Sequence, residues 1–166
     1  NDLSLYAHDA ATGLHAWVRP CTDVGEPATT LAGTCPEQPG QTTRVRIGTD
    51  HRVSSPAYVQ AVGGDLVCAI VSIDTLRVYA ARVSDGSIAW VRALGATTPS
   101  ANYASSIASA NGLLFVGSQE DRRLYVLDAA AGGAVLGSVD LGAPIFGSPA
   151  VANGRVYVGT AAGVLF

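Results

Sequence analysis

The chain repeats itself, and a repeat period restricts architecture more tightly than any composition does. Tyr6-Ala-His-Asp9-Ala-Ala-Thr-Gly13-Leu-His-Ala-Trp17 aligns without gaps with Tyr79-Ala-Ala-Arg82-Val-Ser-Asp85-Gly86-Ser-Ile-Ala-Trp90 and with Tyr125-Val-Leu-Asp128-Ala-Ala-Ala-Gly132-Gly-Ala-Val-Leu136. In each copy the aromatic stands seven residues before the glycine, and the glycine four before Trp or Leu. A second element returns as well. Ser105-Ser106-Ile107, Asn111-Gly112 and Leu114-Phe115-Val116-Gly117-Ser118 recur 42 residues later as Gly147-Ser148-Pro149, Asn153-Gly154 and Val156-Tyr157-Val158-Gly159-Thr160. An earlier, slightly lengthened copy runs from Ser54-Ser55-Pro56-Ala57 to Gly63-Gly64-Asp65-Leu66-Val67-Cys68. A unit of this size cannot bury its apolar face alone and must stack on its neighbours.

Each unit reads as strand, Asn-Gly turn, strand, linker, strand, Asp-x-x-x-Gly turn, strand. Asn-Gly between β-branched or aromatic runs specifies a two-residue hairpin, because both central residues must take positive φ. In the second turn the Asp9 or Asp128 carboxylate accepts from backbone amides ahead of it, and Gly13 or Gly132 supplies the left-handed residue that returns the chain to the ladder. Four short strands every 40 to 46 residues predict an all-β fold of four-stranded antiparallel propeller blades. The first interval, Tyr6 to Tyr79, is 73 residues, and its excess of about 30 falls between Val18 and Arg52. Residues 1–166 are therefore expected to form a single partial propeller domain, with residues 19–50 as an insertion loop between blades.

These paired motifs, Tyr-x-x-Asp-x-x-x-Gly-x-x-x-Trp and Ser-Pro-x-Val-x-x-Gly-x-Val-Tyr-Val-Gly, resemble the repeats of the pyrroloquinoline-quinone (PQQ)-like β-propeller family over most of the chain outside residues 19–50. The resemblance implies that Trp17 and Trp90 pack between neighbouring blades and that Leu136, replacing the third Trp, makes a weaker contact. Arg82 departs from the turn aspartate and leaves that turn to Asp85-Gly86. The family includes quinoprotein dehydrogenases, non-enzymatic outer-membrane assembly lipoproteins and sensor domains, so the resemblance bears on fold before function. Complete propellers have more blades than the three full units and one partial unit read here, and the last residues, Gly163-Val164-Leu165-Phe166, read as the middle of a strand. The expectation is a fragment, or a piece completed by the remaining blades of another chain.

Cys21 and Cys35 lie in a stretch rich in Pro, Gly and Thr, where no core would protect them. A disulfide closing this loop would contribute about 3 kcal/mol and imply an oxidising, extracytoplasmic compartment such as a periplasm or cell surface. A zinc pair is the competing arrangement, but no second Cys or His pair stands at ligand spacing. Cys68, inside Leu66-Val67-Cys68-Ala69-Ile70, reads as a buried free thiol. The opening residues show no signal-peptide pattern.

The chemistry of the chain is sparse. Ten Arg, no Lys and a formal charge of −3 supply no basic face for nucleic acid or an anionic membrane, and no apolar run reaches the length of a transmembrane segment. A PQQ dehydrogenase would need calcium ligands, a catalytic Asp and, in many members, adjacent cysteines; no Cys-Cys pair exists, and most acidic residues fall in turns or loops. PQQ and calcium are thus expected only in a full-length parent. His8 and His15 flank a turn, His51 lies in a loop, and no haem-attachment motif occurs. No Gly-x-Ser-x-Gly supports nucleophilic hydrolysis. Arg44, Arg46, His51 and Arg52 form the one basic concentration, either a seat for an acidic partner or anionic sugar, or an edge strand kept soluble by charge. The chain is therefore expected to act as a non-catalytic extracytoplasmic scaffold presenting loops to a protein or glycan partner. Two alternatives stand beside this: a cofactor-free portion of a PQQ-dependent dehydrogenase, and a structural subunit of a larger surface assembly.

Overall fold

In the computed structural model, the described residues are 2–5, 7–14, 45–49, 52–72, 76–95 and 105–166. They form thirteen strands and no helix. The first two strands, β1 (Asp2–Leu5) and β2 (Val45–Thr49), pair antiparallel, so the end of the 19–50 segment is strand.

The first full blade comprises β3 (Arg52–Val53), β4 (Ala57–Val59), β5 (Leu66–Ser72), β6 (Leu76–Arg82) and β7 (Ile88–Leu94). Its order is β3-β5-β6-β7, with β4 also on β5. β3 and β4 are one inner strand interrupted at 54–56, where Pro56 has no amide to give the ladder. Ser54 spans the break: its amide donates to the Ile70 carbonyl at 3.0 Å, and its hydroxyl accepts from the Ile70 amide at 2.9 Å.

The second blade is the simple case, in the order β11-β10-β9-β8. Its strands are β8 (Ala108–Ala110), β9 (Leu113–Gly117), β10 (Arg123–Asp128) and β11 (Ala134–Asp140). A third unit begins with the hairpin of β12 (Ala150–Ala152) and β13 (Arg155–Tyr157), extended by a Gly159–Leu165 bridge. Both two-residue turns are built as expected: Asn111 and Gly112 have φ of 51° and 77°, and Asn153 and Gly154 have 52° and 71°. The blades are all-β, antiparallel and four-stranded, and they do not close into a ring.

Strand alternation sends the second blade's side chains to two different cores. Leu114, Val116, Tyr125 and Leu127 pack with Val59, Leu66, Ile70 and Val78 of the first blade. Phe115 and Leu124 turn the other way, onto Ile145 and Val158 of the third unit. Gly117 is required by close approach rather than by φ, since a Cβ there would meet Ile145 Cγ2 at 2.5 Å.

One assignment from the repeat is corrected. Leu136 aligns with Trp90 in sequence, but in the ladders Ala80 faces Trp90 while the equivalent Val126 faces Gly137. The third turn is one residue longer. It closes from the Gly133 amide to the Asp128 carbonyl, where the earlier turns close from Gly13 to Asp9 and from Gly86 to Arg82. Gly132 and Gly133 both take positive φ, which accommodates the extra residue. Leu136 sits at the bulge, 60% exposed, and Gly137 stands where the Trp would be.

Leu114 is fully buried at the junction of the two blades. Leu114→Ala is expected to cost about 2–5 kcal/mol in urea unfolding, since the facing sheets cannot collapse into the void. Val135→Ala, on the exposed strand β11, should stay within about 0.5 kcal/mol of the parent.

Candidate functional site

The acidic side chains of the described blades are mostly spent on turns. Asp9 Oδ1 accepts from the amides of Ala11 (3.1 Å) and Thr12 (2.8 Å) and from the Thr12 hydroxyl (2.8 Å). These donors, the Thr12 hydroxyl foremost, hold its carboxyl below the usual carboxylate range. Asp128 Oδ1 accepts from Ala130 and Ala131 in the same way, at 2.9 and 3.1 Å. Where Arg82 replaces the aspartate, Asp85 instead takes the Ser87 amide and hydroxyl at 2.8 and 2.5 Å, on the exit side of the turn before β7. His8 is drawn into the first turn too, its Nδ1 donating to the Gly13 carbonyl at 3.1 Å.

Adjacent blades are joined at two radii. On the inner strands the Ser55 amide donates to Ser106 Oγ at 3.3 Å, and the Ser106 amide to Ser148 Oγ at 2.9 Å. Equivalent serines of three successive units thus form one ladder. Toward the outside, Trp90 Nε1 donates to the Ala129 carbonyl at 3.0 Å, and the Trp90 ring covers Gly133, where a Cβ would meet Cζ3 at 2.6 Å. Arg92 Nη2 donates to the Gly132 carbonyl at 3.0 Å beside it. Trp90 is the outer lock between the two full blades.

The face carrying these turns is also the one with open space. A cleft of about 270 Å³ lies between the full blades, lined by Val62, Gly64, Arg82, Trp90, Ala130 and Gly132 among others. A groove of about 410 Å³ adjoins it, lined by Gly63, Gly64, Asp65, Arg82, Val83 and Ser84. Both depend on the Gln60–Asp65 connection between β4 and β5, six residues where the other two units have Asn-Gly. Gly63 (φ 97°) and Gly64 (φ 124°) carry the chain through a conformation other residues resist. Val62 at its tip is 93% exposed. At its base Tyr58 Oη donates to Asp65 Oδ2 at 2.5 Å, which holds the phenol above its ordinary range.

At the opposite end of the second blade's strands the Tyr125 hydroxyl donates to Asp121, in the connection between β9 and β10; burial, then that carboxylate, pushes the phenol up. Among the described residues no group of three or more His, Cys, Asp and Glu converges on a metal position. Cys21, Cys35, Trp17, Arg44 and His51 lie outside the described residues. Arg46 and Arg52 are placed in β2 and β3 by their backbones alone. The cleft was not singled out in the sequence, although its two signals were there: a lengthened Asn-Gly position and an arginine in place of a turn aspartate.

The family described as outer membrane protein assembly factor BamB matches residues 1–166, the whole chain. Among solved structures, the quinohemoprotein alcohol dehydrogenase ADHIIG from Pseudomonas putida HK5 is similar at 25% identity and a TM-score of 0.48, covering 65% of this chain and 16% of that one. BamB from Moraxella catarrhalis is similar at 15% identity and a TM-score of 0.46, over 99% of this chain and 51% of that one. The chain thus spans about half the length of one and a sixth of the other. No curated protein matches it.

Gly133→Ala combines a φ of 68° with a ring at 2.6 Å. Thermal unfolding should show a loss of roughly 1–3 kcal/mol, with Trp emission shifted to longer wavelength as Trp90 is displaced. Gly163→Ala, with positive φ but open space, should leave the emission unchanged.

Proposed function

Since the chain belongs to the PQQ-like β-propeller family described as outer membrane protein assembly factor BamB, we propose that it is a non-catalytic extracytoplasmic scaffold that presents rim loops to a protein partner. The observation that carries this reading is where the polar groups are spent. Turn aspartates cap amides, serines join blades and tyrosine hydroxyls engage Asp65 and Asp121, so these polar groups serve the turns and joints of the fold. What they offer is rigid sheet with lengthened connections, an arrangement suited to binding. The reading assigns no cofactor to this segment; quinone and calcium belong to a longer parent if to any part. The 19–50 insertion, closed by Cys21 and Cys35, is the principal contact, and further blades complete the propeller.

Deleting residues 22–34 tests it. Photo-cross-linking in intact cells should give adducts between residues 19–50 and a protein partner in the parent, and none in the deletion, whose circular dichroism and melting stay near the parent's. Adducts that persist unchanged in the deletion overturn the reading.

Thiol counting tests the compartment. Burial pushes the Cys68 thiol from 9.0 up to about 12. A thiol raised in the folded state contributes stability that is fully present below pH 9.0 and is lost as the pH rises toward 12. At pH 8 Ellman's reagent should therefore find no thiol in the native chain. In denaturant it should find one before reduction and all three cysteines after; three before reduction would remove the disulfide and with it the case for an oxidising compartment.

A further inference from the structure

Two departures from the repeat meet at one place on the turn face. One is the six-residue Gln60–Asp65 connection; the other is Arg82, where the sister turns carry Asp9 and Asp128. The Val83 amide donates to the Asp65 carbonyl at 3.0 Å and ties the two loops together. The cleft and the adjoining groove share Gly63, Gly64 and Arg82.

The sister turns show what is missing. Their carboxylates accept from the amides two and three residues ahead. A guanidinium has no acceptor, so Ser84, two residues after Arg82, receives no carboxylate from that position, and Ser84 lines the groove. The acidic groups nearby already hold donors, Asp65 from Tyr58 and Asp85 from Ser87. The Arg82 side chain is exposed and lines both the cleft and the groove, and a guanidinium carries five N–H donors. Beside it Val62 stands almost wholly in solvent.

Resting on the reading of this chain as a protein-binding scaffold, we propose that the groove receives an acidic side chain of a protein partner. Its carboxylate bridges Arg82 and the Ser84 amide, in the place the turn aspartate fills elsewhere, while an apolar neighbour in the partner covers Val62. Arginine suits this role because its planar fork meets a carboxylate with two parallel donors. Ordered by the Gly63-Gly64 pair, the lengthened loop supplies the wall against which the partner segment lies.

The test uses the full chain, labelled with nitrogen-15, and two capped peptides, acetyl-Leu-Glu-Leu-Glu-Leu-amide and the same sequence with Gln for Glu. The Glu peptide should shift the amide signals of Gly63, Gly64 and Ser84, with an apparent affinity that falls as sodium chloride is raised. The Gln peptide should shift them little. Arg82→Gln, which introduces no new charge, should weaken binding by about tenfold or more, and Arg82→Asp, which restores the turn's own carboxylate, should abolish it. Both variants should keep the remaining amide spectrum. No shifts at these three residues, equal shifts with the Gln peptide, or unchanged binding by Arg82→Gln each overturn the proposal. The chain lacking residues 22–34 should bind the Glu peptide like the parent. Loss of cross-links in that deletion with retained peptide binding supports both sites; persistent cross-links with retained peptide binding sink the loop reading alone.

Discussion

The second blade has no surface it can call its own core, and everything else in the structure depends on that. β9 and β10 alternate their side chains between two apolar layers, one shared with the first blade and one with the third unit. Burying a Leu or Val on either side contributes about 1.5–3 kcal/mol, but only when a neighbouring sheet is present to cover it. Stability is therefore a property of junctions rather than of blades. This explains why the polar chemistry is so economical: serines and turn aspartates serve joints and turns, because a blade edge that leaves an amide uncapped weakens the stack on both sides.

Much of this was legible in the sequence, and for a physical reason. Asn-Gly dictates positive φ at two successive residues, which Asn111-Gly112 and Asn153-Gly154 adopt. An aspartate two and three residues before free amides caps them, which Asp9 and Asp128 do. These are local rules and need no knowledge of the neighbours. Leu136 shows where such rules stop. One additional glycine in the Asp128 turn moves the strand register by a residue, so a gapless alignment pairs the wrong side chain with Trp90. Strand alternation turns that small slip into a change of face.

The candidate site was legible only as irregularity. Nothing about Arg82 or the Gln60–Asp65 connection resembles a catalytic or ligand motif; each is simply a place where a repeating rule is not obeyed. In a repeat protein the rule describes what the scaffold needs, so a departure that the fold tolerates marks a position released from scaffold duty. Two such positions converge across the 3.0 Å bond from Val83 to Asp65, which brought together residues that lie seventeen or more apart in the chain. Distance along the sequence concealed the coincidence, and sheet pairing revealed it.

The outer lock has a consequence for how such a chain changes over time. Its two halves belong to different units: Trp90 is supplied by one, and the glycine turn at 129–133 that receives it by the next. The inner serine ladder is divided in the same manner, donor amide in one unit and acceptor hydroxyl in the following one. In the serine ladder a unit therefore carries a donor facing one way and an acceptor facing the other, whereas the outer plug of Trp90 is replaced by Gly137 in the second blade. Duplicating or losing whole units preserves the serine joints, and where the duplication boundaries fall within the unit does not matter. Growth by whole periods is the low-cost route for this architecture, and insertions are accommodated only where they leave both halves of a joint intact.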